Sequence, residues 1–206
     1  MYRIAIIDTG MCNVDSMLRA IEDCGAKGDV TNDPNDLDRA DKIVLPGVGA
    51  FPDAMQMLHS TGLAEAIRTN VLEHDVPILG VCLGMQLLAK HGTEVRDCEG
   101  LGLIDASVVR MTPTATERVP HIGWNEVEPR PHAPFFAGID ALTDFYFVHS
   151  FQMVCVNEAD IAATTPYCGG ITSAVQRGHI FGTQFHPEKS QANGVRLLRN
   201  FVESAC

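Results

Sequence analysis

Residues 76–84 read Val-Pro-Ile-Leu-Gly-Val-Cys-Leu-Gly, a short aliphatic run that closes on a cysteine set between two glycines. The run does not alternate between apolar and polar residues, which is typical of a strand buried on both faces of a parallel sheet. Strong helix formers follow it in Met85–Lys90. This segment therefore predicts a buried strand that turns sharply into a helix, the unit from which α/β folds are built.

The segments that precede this strand predict further units of the same kind. Tyr2–Asp8 and Lys42–Leu45 are short aliphatic runs closed by turn residues, and Val14–Ile21 between them repeats apolar residues at helical spacing. Ala54–Asn70 predicts one more helix with an apolar stripe. The first half of the chain is thus expected to alternate strands and helices.

The second half of the chain is richer in strands than in helices. The strand-like segments are 108–111, His121–Val127, Phe145–Val156, Ile161–Thr165 and Thr172–Gln176. Gly178-His179 predicts the turn of a hairpin into Ile180–Phe185, and Val195–Val202 predicts a closing amphipathic helix. We expect one α/β domain, 1–206, whose mixed, mainly parallel central sheet is flanked by helices.

Composition excludes several classes of protein. The chain has 206 residues, of which 46% are hydrophobic, and its formal charge of −11 argues against non-specific binding to nucleic acid or anionic membranes. No apolar run approaches the roughly 20 residues that a transmembrane helix needs. The N-terminus lacks the features of a signal peptide, so we expect a cytoplasmic protein. Seven cysteines without a C-x-x-C pair predict neither a zinc site nor a disulfide framework.

The stretch Gly80-Val81-Cys82-Leu83-Gly84 has the G-x-nucleophile-x-G form of an elbow between a strand and a helix. A side chain exposed at so sharp a turn needs small neighbours. The helix that follows directs N–H groups and the positive end of its dipole at the sulfur, which favours a thiolate. Cys82 is therefore a candidate nucleophile, with Leu83 N–H available to an oxyanion. The alternative is a buried structural cysteine beside a tight turn.

His186 is the candidate partner of this cysteine. It follows a predicted strand and precedes Pro187 and Glu188. In an extended segment residues two apart face the same way, so Glu188 would lie beside His186 and orient its imidazole. The resulting order of nucleophile, histidine and acid differs from that of the α/β-hydrolases. The alternative for an isolated His-x-Glu is a surface turn.

The stretch Pro46-Gly47-Val48-Gly49 ends a long buried strand. Glycines there permit positive φ and close approach of the backbone, which suits a donor to an oxyanion. A dinucleotide site is excluded because the third glycine of G-x-G-x-x-G is missing. A plain turn between strand and helix is the alternative.

Together, the stretches 46–49, 80–86 and 185–190 resemble the class I, triad-type glutamine amidotransferases. Within that family the chain is similar to the glutaminase subunits of imidazole glycerol phosphate synthase. This narrower resemblance rests on Pro-Gly-Val-Gly at 46–49, Val-Pro-His-Ile-Gly-Trp-Asn at 119–125 and Tyr-Phe-Val-His-Ser at 146–150. It implies a flavodoxin-like core, a role in histidine biosynthesis, and no metal or organic cofactor.

The resemblance also implies roles for individual residues. Cys82 attacks the side-chain amide of glutamine, His186 protonates the departing ammonia and later activates water, and Glu188 holds His186. The Leu83 N–H and a reoriented peptide around Val48 form the oxyanion hole. The residues implied to hold glutamine are Gly47, Gly49, Gln86, Ser150 and Phe151.

A partner is implied in the same way. The family's glutaminase subunits deliver ammonia within a heterodimer to a (β/α)8-barrel cyclase, which makes imidazole glycerol phosphate and aminoimidazole carboxamide ribotide. The segments that face the cyclase carry His121, Trp124, Asn125 and Lys189. Composition alone equally permits a core Trp124 and a merely solvated Lys189.

The chain departs from the family's pattern at three positions. The family's opening commonly reads D-Y-G-x-G-N, whereas this chain has Thr9 and Cys12, and Phe151 replaces a frequent tyrosine. Three other functions stay open: an amidotransferase subunit for anthranilate or pyridoxal phosphate synthesis, a non-catalytic binding subunit of the same fold, and a cysteine hydrolase of another amide or peptide.

Overall fold

The computed structural model describes residues 2–10, 12–131 and 133–204. The strands are β1 (Arg3–Ile7), β2 (Lys27–Thr31), β3 (Lys42–Gly47), β4 (Ile78–Cys82), β5 (Ala89–Gly92), β6 (Cys98–Glu99), β7 (Ile104–Arg110), β8 (His121–Pro129), β9 (Thr143–His149), β10 (Phe151–Cys155), β11 (Ile161–Thr165), β12 (Ile171–Arg177) and β13 (Ile180–Thr183). The α-helices are α1 (Val14–Asp23), α2 (Phe51–Ser60), α3 (Leu63–Glu73), α4 (Leu83–Leu87) and α5 (Gln191–Glu203).

A nine-stranded sheet in the order β2-β1-β3-β4-β13-β12-β11-β8-β9 forms the centre of the fold. Its pairings from β2 to β13 are parallel, and those from β13 to β9 are antiparallel. The predicted mixed sheet is confirmed, although the two kinds of pairing are equal in number rather than mainly parallel. The reason is that the second half of the chain returns through hairpins and loops instead of helical crossovers.

Two hydrophobic cores lie on opposite faces of this sheet. Ile4 and Ile6 of β1 pack with apolar residues of α1 and α5, whereas Ala5 and Ile7 pack with those of α2, α3 and α4. Successive side chains of a strand point to opposite faces, so a strand covered on both sides must be apolar throughout. This explains the unbroken aliphatic runs of the central strands.

A second sheet of four strands, in the order β10-β7-β5-β6, packs against the core that contains α2 and α3. The single predicted strand Phe145–Val156 is wrong, because the chain leaves the large sheet at Ser150 and enters the small one at Phe151. The predicted helix Met85–Lys90 ends at Leu87, since the following residues pair with β6 and β7. Ser150 and Phe151 therefore lie where the two sheets meet.

One other prediction needs correction, and one strand was not predicted. The single helix Ala54–Asn70 is wrong: α2 and α3 are separated at Gly62, whose φ of +78° favours glycine. Strand β2 was not predicted, because its sequence Lys-Gly-Asp-Val-Thr contains one aliphatic residue.

Within residues 2–10, 12–131 and 133–204, no helix has the length and apolar character needed to cross a membrane.

Candidate active site

Cys82 occupies the sharp turn between β4 and α4. It is the last residue of the strand and caps the helix, with φ 55° and ψ −108°. A positive φ is uncommon for a residue other than glycine, and such strain concentrates at functional sites. The flanking glycines have a steric reason. A Cβ on Gly80 would lie 2.6 Å from the carbonyl oxygen of Gly84, and one on Gly84 would lie 1.7 Å from that of Leu45.

The sulfur of Cys82 is buried among polar groups. Its Sγ donates to the backbone oxygen of Val148 at 3.8 Å and accepts from Nε2 of Gln184 at 3.8 Å. Cys82 is 5% exposed and Gln184 is fully buried. The sulfur is thus held between a backbone carbonyl and an amide donor.

His186 and Glu188 form a buried pair beside this sulfur. Nδ1 of His186 lies 2.7 Å from Oε1 of Glu188, and their side chains are 4% and 7% exposed. Burial by itself lowers the pKa of His186, but Cys82 and Glu188 together raise it to about 9. The buried Nε2 atom has no hydrogen-bond partner among the residues that the structure describes. Nε2 is therefore the atom left to exchange a proton with the sulfur or with a substrate.

Backbone contacts hold the segment that carries this histidine. The His186 N–H donates to the oxygen of Tyr146 at 2.9 Å. Oγ of Ser190 donates to the oxygen of His186 at 2.6 Å and accepts from the N–H of Tyr146 at 3.1 Å. Gly194 of α5 packs so tightly on the following turn that a Cβ would lie 1.9 Å from the oxygen of Pro187. Strand β9 and helix α5 thus fix His186 from two sides.

A cavity of about 280 Å³ opens beside Cys82. It is lined by Val48, Gly49, Cys82, Leu83, Gln86, Glu94, Pro120, Val148, His149, Ser150 and Phe151. Four of the five residues expected to hold glutamine are among them. Gly47 is not: it is buried in β3, where a Cβ would lie 3.2 Å from Cβ of Leu83. The backbone of Gly47 thus packs against α4, and a role of Gly47 in holding glutamine stays a prediction.

The two residues expected to form an oxyanion hole lie at the ends of neighbouring strands. Gly47 at the end of β3 pairs with Cys82 at the end of β4, so Val48 and Leu83 both reach the cavity. Leu83 begins α4, and the first N–H groups of a helix have no partner within the helix. Gly49 has φ +105°, a conformation that favours glycine.

Three polar side chains that contact the cavity or the sulfur were not predicted from the sequence. Oε2 of Glu94 accepts from the N–H of Phe51 at 2.8 Å, which fixes a carboxylate at the edge of the cavity. The other two are His149 and Gln184. Gln184 precedes His186 by two residues, so strand alternation was a usable signal for it. Glu94 follows a strand in a polar segment, and no local pattern marks it.

The surface beside His186 is apolar. Trp124 and Ile122 of β8 are 48% and 62% exposed. The ring of Trp124 lies 6.1 Å from that of Tyr146, which in turn lies 6.5 Å from that of His186. Lys189, in the turn that follows His186, is exposed. The arrangement places an exposed apolar contact area near His186.

His121 does not share this surface. It is 3% exposed, and its ring is stacked between other rings on the opposite face of β8. Alternation along β8 turns His121 inward while Trp124 points outward, and a role of His121 at a partner interface stays a prediction. Asn125 is half-buried and donates from Nδ2 to Nε2 of His121 at 3.1 Å.

The two unusual residues of the opening segment contact each other. Oγ1 of Thr9 donates to Sγ of Cys12 at 3.8 Å, and Thr9 is buried. Burial raises the pKa of Cys12, and the negative charge of Glu188 adds to this rise. Cys12 also borders a small cavity together with His186 and Glu188. Across the described part of the chain, no group of three or more histidine, cysteine or acidic side chains is arranged to hold a metal.

The sequence has full-length similarity to known proteins. The family described as glutamine amidotransferase class-I matches residues 5–205. The chain is 46% identical to imidazole glycerol phosphate synthase subunit HisH 1 of Campylobacter jejuni (strain RM1221), covering 97% of this chain and 98% of that protein. It is 47% identical to imidazole glycerol phosphate synthase subunit HisH of Moorella thermoacetica, covering 98% of this chain and 95% of that protein.

Solved structures support the fold. The structure described as PurLQS from Thermotoga maritima superposes with a TM-score of 0.77 at 17% identity, covering 98% of both chains. A crystal structure of a glutamine amidotransferase gives a TM-score of 0.76 at 20% identity, covering 97% of both chains. At such identities the likeness shows the shared fold alone.

Proposed function

The chain belongs to the class I glutamine amidotransferase family, and we propose that it is the glutaminase subunit of an imidazole glycerol phosphate synthase in histidine biosynthesis. The whole chain, 1–206, would form one amidotransferase domain. The observation that carries the chemistry is the cluster of Cys82, His186 and Glu188 beside a cavity, with a strained turn at the cysteine. The choice of pathway rests on the full-length relatives.

The cluster supports hydrolysis of glutamine through a thioester. The Cys82 thiolate attacks the side-chain carbonyl carbon of glutamine, and the negative charge moves to the carbonyl oxygen. Nε2 of His186 then gives its proton to the amide nitrogen, and ammonia leaves as the carbonyl re-forms. His186, now neutral, takes a proton from water, which attacks the γ-glutamyl thioester and releases glutamate and the thiol.

The cavity suits the charged end of glutamine. Glu94 places a carboxylate at its edge, where it would pair with the α-ammonium group. Nε2 of Gln86 donates to the oxygen of Phe151 at 3.1 Å and to Oε1 of Gln184 at 3.0 Å. Both amide hydrogens of Gln86 are thus engaged, which leaves its Oε1 to accept from the substrate. Gly49, Ser150 and Phe151 supply the remaining backbone contacts.

We assign the oxyanion hole to the Leu83 N–H and to the peptide at Val48. Val48 is 38% exposed at the cavity, in a loop whose glycines allow the peptide to rotate. Loss of one such donor typically costs about 10²–10³ in turnover. We expect partner binding to bring this peptide into place.

The partner we propose is a (β/α)8-barrel cyclase. Ammonia released into water is mostly protonated and cannot act as a nucleophile, so delivery requires a docked acceptor. The half-buried Tyr146 lies beside His186, where ammonia forms, and the exposed Trp124 lies beside Tyr146 on the same strand as the exposed Ile122. Lys189 adds a positive charge. Exposed apolar patches of this kind mark protein interaction sites.

Glutamate formation tests the proposal. The assay is run on the chain alone, then with the barrel cyclase, then with the cyclase and its ribonucleotide ligand, with Cys82→Ala as control. Strong stimulation by the liganded cyclase supports the assignment. Turnover that ignores the cyclase would move the chain to another pathway, such as anthranilate or pyridoxal phosphate synthesis. A folded chain inactive in every mixture would be a non-catalytic subunit.

A further inference from the structure

Two buried histidines outside the cysteine cluster face each other on neighbouring strands. His121 of β8 and His149 of β9 are register partners, 3% and 7% exposed. Nδ1 of His121 lies 3.1 Å from Nε2 of His149. The ring of His121 is stacked between Phe147 and Tyr167, with centroids 4.6 and 3.9 Å away. Packing alone would be satisfied by apolar rings, so the polar atoms call for a separate explanation.

The hydrogen bonds at the two rings have one consistent direction. The Phe151 oxygen can only accept, so Nδ1 of His149 donates to it at 2.8 Å. Burial lowers the pKa of both histidines to about 4, so each ring is neutral at pH 7 and has one donor and one acceptor. Nε2 of His149 therefore accepts from Nδ1 of His121. Nε2 of His121 in turn accepts from Nδ2 of Asn125 at 3.1 Å.

Every polar atom of the two rings is thus paired. Asn125 fits the same direction, because its Oδ1 accepts from the N–H of Glu126 at 2.9 Å. A buried polar network that is fully satisfied rigidifies its surroundings, whereas a half-satisfied one costs stability. The hydrogen bonds that run from Asn125 through His121 to His149 therefore hold the oxygen of Phe151 in one place.

That oxygen belongs to Phe151, which lines the substrate cavity. It also accepts from Nε2 of Gln86 at 3.1 Å, and the same Gln86 amide donates to Gln184 at 3.0 Å. Gln184 in turn reaches the sulfur of Cys82. Phe151 begins β10 and pairs with Arg110 of β7 in the small sheet. The hydrogen bond from His149 of β9 ties the same residue to the large sheet.

We propose that His121 and His149 are positioning residues that hold the Phe151 carbonyl, and through it the Gln86 amide, in the geometry that binds glutamine. This inference rests on the proposed glutaminase function. Neither histidine takes part in the chemical steps, so their loss weakens binding of glutamine more than the turnover of bound glutamine. Trp124 lies on the same strand as His121 but on its opposite face. The series of hydrogen bonds therefore begins on β8, the strand that also carries the apolar surface beside His186.

The experiment compares His149→Phe and His121→Phe with wild type in the complex with the cyclase. Both variants keep an aromatic ring but remove the hydrogen bonds. We expect KM for glutamine to rise about tenfold or more, with kcat changed less than about threefold, because buried partners lose their hydrogen bonds. Synthesis from added ammonium salt should stay unchanged. The matched control is His91→Phe, which removes an exposed hydrogen bond to Ser107 in the small sheet.

Two milder variants separate positioning from packing. His121→Asn keeps a donor close to the position of Nδ1 and should bring KM closer to the wild-type value than His121→Phe does. Asn125→Ala removes the first donor from a half-buried position and should raise KM about two- to fivefold, the range of one ordinary hydrogen bond. If a phenylalanine variant loses cooperative thermal unfolding, this alanine variant decides the question.

The outcomes distinguish this inference from the function on which it rests. Wild-type complex that forms no glutamate would contradict the proposed function. Active wild type together with folded variants of unchanged KM would overturn the positioning role alone. A fall in kcat without a change in KM would also overturn it, since that result would place the histidines in the chemical steps.

Discussion

Gly84 lies against the carbonyl group of Leu45 so closely that a Cβ would be 1.7 Å from its oxygen. Gly84→Ala must therefore move the turn that carries Cys82. We expect a loss of about 3 kcal/mol in the free energy of unfolding, at the upper end of overpacking effects. Glutaminase activity should fall about 100-fold or more, because a displacement near 1 Å has that effect. Urea unfolding and the glutamate assay measure the two losses.

Gly28→Ala is the matched control for this prediction. A Cβ there would meet the flexible ends of Leu18 and Ile6, at 2.4 and 3.2 Å from their Cδ1 atoms, and no backbone atom. Stability within about 1 kcal/mol of wild type and full activity are expected. If Gly84→Ala behaved like this control, the steric account of the elbow would be wrong.

Glu188→Gln should weaken catalysis without unfolding the chain. The carboxylate accepts from Nδ1 of His186 at 2.7 Å and helps to hold its proton. An amide of the same shape keeps the volume but allows the wrong tautomer, a change that costs on the order of 10⁴ in a related triad. We expect kcat/KM for glutamine to fall by about 10²–10⁴. Unaltered thermal unfolding, with activity at the wild-type level, would remove Glu188 from the triad.

The pH profile should show a basic limb. His186 has a pKa raised to about 9, so its ring is protonated at pH 7 and can supply the proton that departing ammonia needs. As pH rises through about 9 this proton is lost, and kcat/KM should fall about tenfold per pH unit. Glu188→Gln should move the limb to lower pH, because it removes one of the two groups that raise the pKa. If the basic limb stayed at the same pH in Glu188→Gln, the limb would not report the titration of His186.

The same raised pKa has a consequence for stability. The folded chain binds the His186 proton more tightly than the unfolded chain does. The stabilisation is fully present below the ordinary value of 6.5 and is lost as pH rises through about 9. Chemical unfolding of wild type and of His186→Gln from pH 6 to pH 10 should therefore give curves that converge at the basic end. If the unfolding free energies of the two proteins stayed parallel from pH 6 to pH 10, the raised pKa of His186 would be contradicted.

Trp124→Ala should weaken the complex with the cyclase. The ring is 48% exposed and lies next to Tyr146, at the centre of the apolar surface beside His186. Loss of a central aromatic contact costs about 2 kcal/mol or more, or roughly 30-fold in Kd. Isothermal titration calorimetry measures this change, and Leu72→Ala on α3, 51% exposed, is the control. Equal affinities for the two variants would place the docking surface elsewhere.

Lys189→Ala addresses the edge of that surface. An exposed charge at a rim acts mainly on the association rate and its salt dependence. The variant should associate more slowly at low salt and dissociate at the wild-type rate, as measured by stopped-flow mixing. A changed dissociation rate with an unchanged salt dependence would instead place Lys189 in the buried centre.

The sequence predicted the central strands well because each is covered on both faces. That packing demands the uncharged, mostly aliphatic runs seen at 78–82 and at 43–45. Strand β2 lies at the edge of the sheet and is mostly exposed or half-buried, so its sequence shows no apolar run. The break between α2 and α3 depends on a single positive φ at Gly62, and the change of sheet at Ser150 depends on distant pairing partners. Such features are decided by tertiary contacts and not by local periodicity.

In the candidate site too, residues in local motifs could be predicted, whereas residues placed by tertiary contacts could not. Cys82, His186 and Glu188 could be found because each lies in a short motif whose backbone geometry is local. Glu94 reaches the cavity from a loop of the small sheet, and no spacing marks it. The pairing of His121 with His149 depends on the register between two strands 28 positions apart. Register at that separation is set by the assembled sheet.

Cys82 is the nucleophile on which the proposed release of ammonia from glutamine depends. The decisive measurement is synthesis of imidazole glycerol phosphate by the complex of this chain with the cyclase, with glutamine or with an ammonium salt as nitrogen donor. Cys82→Ala should abolish the glutamine-dependent reaction and leave the ammonium-dependent reaction at the wild-type rate. Glutamine-dependent synthesis that survives in Cys82→Ala would contradict the account.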